Sequence, residues 1–430
     1  MVRVALMGLG TVGGGVAELL AQHQEDIARR AGEGIEVAAA LVRDPAKARA
    51  LNGATPRLTT DPEEILGDKS ISIVVEAMGG EEPALSLLKK ALRRGKHVVT
   101  ANKEVVSAHG QELFEAAMIH RCHLLFEGSV GGGIPIIAPL KHCLAANEID
   151  EVSAVINGTT NFILTEMTVR GQDFAEVLGE AQARGYAEAD PSADVDGLDA
   201  ARKLAILASI AFNTRVTPAQ VSTAGIRSVR AADTRYATEL GRVIKLVATA
   251  RRENGAVRVV VAPVMLPKDH PLAAVNGPDN AVLVRGQPVG RVVFSGPGAG
   301  RGATASAVVG DIMEIVRLRN RPDKSQCTCF TSRPVVAGDG RPAPFYARVR
   351  LPDGHGALER LTAAFAARSV ALASVTRKSA DTSGYEFVLV TRPADEGAVR
   401  AAIADGAADI GGSVALNVFR MEDGEMGTSR

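Results

Sequence analysis

Five carboxylates, Glu188, Asp190, Asp194, Asp196 and Asp199, precede Lys203 in the stretch AEADPSADVDGLDAARKLA at residues 187–205. Asp199 and Lys203 are four apart, so on a helix they share one face within side-chain reach. Leu198, Ala201, Leu204, Ala205, Leu207 and Ala208 supply the apolar spacing that such a helix needs. A lysine on a mostly apolar helix, beside a carboxylate, is a candidate general acid or base whose behaviour its surroundings set. An acidic loop followed by an ordinary surface ion pair would read the same way. The rest of the chain has to decide.

The elements that would position this chemistry begin at the N-terminus. An apolar run at residues 2–7 leads directly into Gly8-Leu9-Gly10-Thr11-Val12-Gly13, and a stretch with Val16, Leu19 and Leu20 on one helical face follows. This is GxGxxG in its meaningful setting, between a strand and a helix N-terminus, and it predicts a dinucleotide site. Gly8 permits the turn, Gly10 lets backbone approach a pyrophosphate, and Gly13 lets helix and strand pack closely. Thr11 and Val12 open the helix, whose N-terminus offers amide donors to an anion. A second strand over 35–42 ends in Arg43-Asp44, with Lys47 and Arg49 behind. Arginine at this edge accommodates a ribose 2′-phosphate, whereas an acidic residue binds the 2′-hydroxyl. NADP is favoured and NAD stays open, as does a bland reading of basic residues starting a solvated helix. Residues 71–78 read as a buried strand, 83–94 as a helix closed by Gly95, and 97–100 as a strand ending at Thr100. That strand delivers Lys103 beyond its carboxyl end, where ligands of open α/β sheets bind.

A strand at 124–127 leads into Gly128-Ser129-Val130-Gly131-Gly132-Gly133-Ile134. Such a loop can aim carbonyls at a hard cation or simply pack tightly. Asn157-Gly158-Thr159-Thr160-Asn161, after a strand at 152–156, either binds substrate or caps a helix starting near Phe162. Further on, 241–250 reads as a helix, and 258–264 and 281–285 as strands. A second glycine-rich loop at 294–300 leads into a helix ending near Arg317.

A chain of 430 residues should form two or three domains, each with its own core. Lys and Arg total 49 and Asp and Glu total 49, so nothing steers the chain towards nucleic acid or an anionic membrane. Cys122, Cys143, Cys327 and Cys329 have no metal-ligand spacing and are too few for a disulfide framework, which suits a reducing compartment. No apolar run reaches membrane-spanning length and no signal peptide is expected. A cytoplasmic protein with neither nucleic-acid nor membrane partner is predicted.

GLGTVGGGV at 8–16, TANK at 100–103, FEGSVGGGIPII at 126–137, INGTTNFIL at 156–164, YAEADPSADVDGLDAARKL at 186–204 and GPGAG at 296–300 together closely resemble homoserine dehydrogenases. The resemblance runs in family order to about residue 320. It implies reversible, nicotinamide-dependent interconversion of aspartate 4-semialdehyde and homoserine. It also implies Lys203 as the acid/base group, Asp199 as its orienting partner, and Lys103 against both substrate and nicotinamide. Glu188 and Asp194 would hold the substrate's α-amino group. Gly8, Gly10, Thr11, Val12, Gly13, Arg43, Thr100, Lys103, Gly185 and Gly300 would lie by the cofactor. The peptide groups of Glu127, Val130, Gly132 and Ile134 match the family's sodium site, and a homodimer or homotetramer is implied. Two other readings compete: a non-catalytic sensor of dinucleotide and amino acid, and a dehydrogenase of another amino-acid semialdehyde. Lys103, Asp199 and Lys203 together argue against the sensor.

The C-terminal third reads strand (345–351), helix (356–368), strand (370–378), strand (385–391), helix (395–404), strand (413–420), which is the ferredoxin-like βαββαβ order. It resembles the ACT regulatory domain of many family members, with threonine as the usual effector. The usual Asp-x-Pro-Gly loop here reads Asp353-Gly354-His355-Gly356. The expected organisation is α/β: a Rossmann-type domain at 1–135, completed by 296–320, and an α+β substrate and dimerisation domain at 136–320. A linker at 321–342, the ferredoxin-like (ACT) unit at 343–421 and a disordered tail at 422–430 follow.

Overall fold

Short apolar runs bounded by turn residues form the first sheet in the computed structural model, which describes residues 1–47, 51–319, 327–352, 356–381, 384–410 and 415–422. Its strands are β1 (Val2–Met7), β2 (Ile35–Leu41), β3 (Arg57–Thr59), β4 (Ile71–Glu76), β5 (His97–Thr100) and β6 (Leu124–Leu125). All pair in parallel, in the order β3-β2-β1-β4-β5-β6. Val74, Val75, Val98 and Val99 are fully buried, as expected for a parallel sheet covered on both faces. The order reverses between β1 and β4, which opens a crevice beyond the strand ends. The Arg301–Leu318 helix returns from far along the chain to pack on the Thr11–Gln22 helix. That approach is close: a Cβ on Gly15 would lie 2.8 Å from the Arg301 carbonyl oxygen.

The second sheet comprises β7 (Glu148–Val155), β8 (Ser222–Thr223), β9 (Arg242–Glu253), β10 (Ala256–Pro267), β11 (Asp279–Gln287), β12 (Gly290–Pro297), β13 (Val335–Ala337), β14 (Phe345–Leu351), β15 (Leu372–Asp381), β16 (Gly384–Thr391) and β17 (Ala415–Met421). Its path runs β12-β11-β7-β9-β10-β17-β14-β16-β15, and β8 and β13 also pair with β10. The Gly158–Arg170 and Leu198–Ala211 helices pack against β7, β9 and β11. The last four strands and the Gly356–Ala367 and Glu396–Ile410 helices adopt the ferredoxin-like βαββαβ arrangement. β17 joins β10 through Val264↔Arg420 and Met265↔Met421, so one sheet runs through both halves.

Two expectations need correction. Residues 241–250, expected as a helix, form most of β9. The strand lies between β7 and β10 with Ile244–Ala248 buried on both faces. Burial on both faces removes the two-residue alternation and leaves an apolar run that periodicity cannot assign. Within the stretch read as an irregular linker, Val335–Ala337 pairs in parallel with Val257–Val259. The effector-loop residues Asp353, Gly354 and His355, together with Arg49 and the 423–430 tail, lie outside the described residues. Among the described residues no helix is long and apolar enough to cross a membrane.

The C-terminal sheet is fastened to the middle of the chain through the Ala231–Glu239 helix, where Asp233 is fully buried. Asp233 accepts hydrogen bonds from the Tyr346 hydroxyl (3.0 Å), Arg348 Nε (2.7 Å) and Asn417 Nδ2 (2.6 Å). Arg348 also pairs with Glu386 at 3.1 Å, and the Tyr236 hydroxyl donates to Glu386 at 2.8 Å.

Candidate active site

Gly197, at φ +83°, turns the chain immediately before the Leu198–Ala211 helix. Leu204, Ala205, Leu207 and Ala208 bury the inner face of that helix, which leaves Asp199 and Lys203 one turn apart. Lys203 Nζ lies 2.7 Å from Asp199 Oδ2 and donates to the Ile156 carbonyl at 2.8 Å. Lys103 opens the Lys103–Ile119 helix, which Asn102 caps by accepting from the Glu104 and Val105 amides. That cap fixes where Lys103 starts, and its Nζ reaches Asp199 Oδ1 at 3.0 Å. One carboxylate therefore carries a lysine on each oxygen.

The Asp199 carboxylate is 5 % exposed, against 12 % for Lys203 and 38 % for Lys103, so the cluster is sealed on one side and open on the other. Burial pushes the Asp199 carboxyl up, but the charges of Lys203 and Lys103 and the hydrogen bonds from Lys203 and Asn157 outweigh it. The group is held well below the usual carboxylate range. Burial pulls Lys103 down, and the adjacent Asp199 more than compensates, so Lys103 stays an ammonium.

Asn157 resolves both alternatives for its cluster. Its Oδ1 accepts from the Thr160 amide at 2.8 Å, which caps the Gly158–Arg170 helix. Its Nδ2 donates to Asp194 Oδ1 at 2.7 Å and to Asp199 Oδ2 at 2.9 Å, tying the two carboxylates together. The Thr159 hydroxyl lies 3.0 Å from Asp194 Oδ2 and 2.7 Å from the Tyr186 carbonyl. Glu188 is exposed on the adjoining loop, with its backbone carbonyl held by Gln182 Nε2 at 3.1 Å. Gly185, at φ +74°, lies exposed on the same loop.

A cleft of about 1010 Å³ opens at the carboxyl ends of β1, β2 and β4, and no residue of the Asp199 cluster lines it. Gly8, Gly10, Thr11 and Arg43 line it. The three motif glycines are required for different reasons. A Cβ on Gly8 would lie 2.7 Å from the Ala77 carbonyl oxygen, and one on Gly13 would lie 2.0 Å from that of Gly8. Gly10 has φ −84° and ψ −147°, which lies outside the standard α and β regions, and nothing lies within 4 Å of where its Cβ would stand. Packing does not account for Gly10, whereas a pyrophosphate lying against it would. The residues present therefore fit a dinucleotide. Thr100 is fully buried and its hydroxyl donates to Glu76 at 2.6 Å, so it stands behind the cleft rather than on its wall. Gly300, at φ +121°, precedes the Arg301–Leu318 helix.

Glu76 was not legible as a site residue. Its carboxylate also accepts from the Met78 amide at 2.8 Å, and it steadies the loop that follows β4. The available signal was a lone carboxylate at the end of an apolar strand run. Glu127 similarly gathers the amides of Ile136, Ile137 and Ala138 at 2.6–2.8 Å, while its own amide donates to Asp311 at 2.8 Å. Burial raises the Asp311 carboxyl well above its ordinary value, against the hydrogen bond from the Glu127 amide. Gly131 and Gly132 take left-handed angles in this loop, and a Cβ on Gly132 would lie 2.6 Å from the Gly298 backbone. The two glycine-rich loops thus touch directly. Val130 and Ile134 are buried within it, and no cluster of three or more His, Cys, Asp or Glu able to hold a metal occurs among the described residues. A hard cation here would depend on backbone oxygens.

A Rossmann-type cleft, in a chain that also carries a buried lysine–carboxylate–lysine cluster, defines a nicotinamide-dependent oxidoreductase. The sequence matches the family profiles "Homoserine dehydrogenase, NAD binding domain" over residues 8–127 and "Homoserine dehydrogenase" over 135–313. It is 46 % identical over 413 residues to a homoserine dehydrogenase of Synechocystis, covering 94 % of this chain and 95 % of that one. The crystal structure of a homoserine dehydrogenase from Thiobacillus denitrificans superposes with a TM-score of 0.92 at 42 % identity, covering 98 % of both chains. A hyperthermophilic archaeal homoserine dehydrogenase in complex with NADPH matches at TM-score 0.62 and 30 % identity, over 73 % of this chain and 97 % of that one. The chain belongs to the homoserine dehydrogenase family. It is accordingly an oxidoreductase that uses a nicotinamide dinucleotide to interconvert L-aspartate 4-semialdehyde and L-homoserine.

Proposed function

We propose that Lys203 moves the proton of this reaction and that Asp199 holds it and Lys103 in place. The observation carrying this reading is the single buried carboxylate with a lysine on each oxygen. The nicotinamide ring, when bound, supplies or accepts the hydride. In reduction the Lys203 ammonium protonates the oxygen that becomes the homoserine hydroxyl, and in oxidation its amine takes that proton back. An ammonium has three N–H donors. Asp199 and the Ile156 carbonyl take two, which leaves one for the substrate oxygen. Lys103, at the open side, contributes a standing positive charge to the developing alkoxide. Glu188 and Asp194 are assigned to the substrate's α-amino group; Asn157 and Thr159 already orient Asp194.

NADP is the cofactor we favour over NAD. Arg43 lines the cleft and has no partner among the described residues, whereas Asp44 accepts from the Ala46 amide at 2.9 Å. Gly8, Gly10, Thr11, Val12, Gly13, Gly185 and Gly300 are assigned around it, and Thr100, behind the cleft, acts only through Glu76. Sodium is assigned to the peptide groups of Glu127, Val130, Gly132 and Ile134. Threonine is assigned to the ferredoxin-like unit as effector, and the assembly is taken as a homodimer or homotetramer in the cytoplasm. The test is purified protein with homoserine at alkaline pH, following NADP and NAD reduction separately, with and without threonine. The faster rate should come with NADP and threonine should suppress it. Silence with both cofactors, from folded protein that still binds NADPH, would overturn the proton-transfer assignment.

A further inference from the structure

We propose that Arg301 closes over the pyrophosphate of the bound dinucleotide as a second phosphate-binding cation, separate from Arg43. This rests on the reading of the cleft as the cofactor site. Arg301 is the first residue of the Arg301–Leu318 helix, and it lines the same cleft as Gly10, Thr11 and Gly14. Its guanidinium lies flat on the Thr11–Gln22 helix: a Cβ on Gly14 would stand 3.0 Å from Nη2 and 3.3 Å from Nη1. Any larger residue at Gly14 would displace it. One turn further along, Glu18 holds it by Nε (3.0 Å) and Nη2 (2.9 Å). Asn52 Nδ2 donates to the same carboxylate at 2.6 Å.

The Arg301 side chain is 42 % exposed, and an ion pair at that exposure adds little to stability. A purely structural role therefore explains poorly why the chain keeps a bare helix surface under the guanidinium. A planar fork held rigidly beside the helix N-terminus that receives a pyrophosphate has a better account: guanidinium and phosphate pair with matched geometry. Arg43 lies at the end of β2, where the ribose 2′-substituent belongs. The Arg301 guanidinium lies against the Thr11–Gln22 helix, which follows β1. The two arginines thus divide the cofactor between them, one reading NADP against NAD and the other gripping both alike.

The experiment is a titration of NADPH and NADH into the intact protein, followed by nicotinamide fluorescence. Arg301→Gln should weaken both by about tenfold and leave their ratio unchanged. Glu18→Gln breaks the same ion pair but leaves the cation, and should stay within about twofold of the unmodified protein. Arg301→Lys, which keeps a charge without the fork, should fall between. Weakening of NADPH alone would overturn the assignment to the pyrophosphate and move Arg301 to the 2′-phosphate. Equal losses in Arg301→Gln and Glu18→Gln would also overturn it, since the ion pair itself would then be what matters, as would no loss in Arg301→Gln. Failure of the unmodified protein to bind either nucleotide would instead overturn the reading of the cleft.

Discussion

Asp199 and Asp233 are both buried carboxylates in the first turn of a helix, where the macrodipole favours negative charge, and each gathers hydrogen-bond donors, at least one of them a cation from a distant part of the chain. Asp199 collects Lys103 and Lys203. Asp233 collects Arg348, the Tyr346 hydroxyl and Asn417. The difference lies in what the partners can release. A guanidinium keeps its proton at any pH a protein meets, whereas a lysine can give one up. Burial, reinforced by Asp233, also pushes the Tyr346 hydroxyl far up, so it too holds its proton. The Asp233 cluster is sealed, with Arg348 only 8 % exposed; the Asp199 cluster is open through Lys103. The same electrostatic device serves proton transfer in one place and fastening in the other.

Removing one partner from each cluster should separate these roles. Lys203→Ala should lower turnover by about 10²–10⁴-fold, the range of a general acid or base, while NADPH affinity, read by fluorescence titration, barely moves. Loss of cofactor affinity instead would take Lys203 out of the proton-transfer role. Asp233→Asn should do the converse. It leaves Arg348 buried beside one fewer charge, and breaking a buried pair costs about 3–5 kcal/mol. A urea transition at lower denaturant with turnover per folded molecule unchanged is the expected result. A variant that keeps its stability but loses turnover would erase the distinction between the clusters.

Much of this was legible because local rules and tertiary demands agreed. GxGxxG sits between strand and helix in the sequence, and the structure gives Gly8 and Gly13 separate steric reasons. The i, i+4 spacing of Asp199 and Lys203 needs only a helix. What could not be read was what comes from afar. Asp199 depends on Asn157 and on Lys103, nearly a hundred positions earlier, and no periodicity connects them. The Asp233 cluster joins three strands, β14, β16 and β17, to the Ala231–Glu239 helix, which no sequence pattern marks. β9 misled because burial on both faces hides alternation. The same continuity of β10 with β17, made by only two residue pairs, leaves no trace in composition.

Lys245 supplies the missing third case, a buried lysine without a carboxylate. It lies on β9 and donates to Asn161 Oδ1 at 2.9 Å, to Asn276 Oδ1 at 3.3 Å and to the Val275 carbonyl, all neutral acceptors. Burial pulls it down to about 8, whereas Lys103, with Asp199 beside it, is raised. Below pH 8 Lys245 is charged in both folded and unfolded chains, and the fold bears the full burial penalty. Between pH 8 and the unfolded value of about 10.4 the folded chain loses the proton first, so stability should rise, by about 3 kcal/mol at most. Urea transitions of the unmodified protein and Lys245→Met at pH 7.5 and 9.5 measure this. Other groups titrate in both proteins, so the difference between their pH slopes isolates Lys245. The unmodified protein should gain stability relative to the variant as pH rises. Equal slopes would mean that neutral acceptors suffice to keep a buried lysine charged, and Asp199 would then lose its claim to be what holds Lys103 as an ammonium.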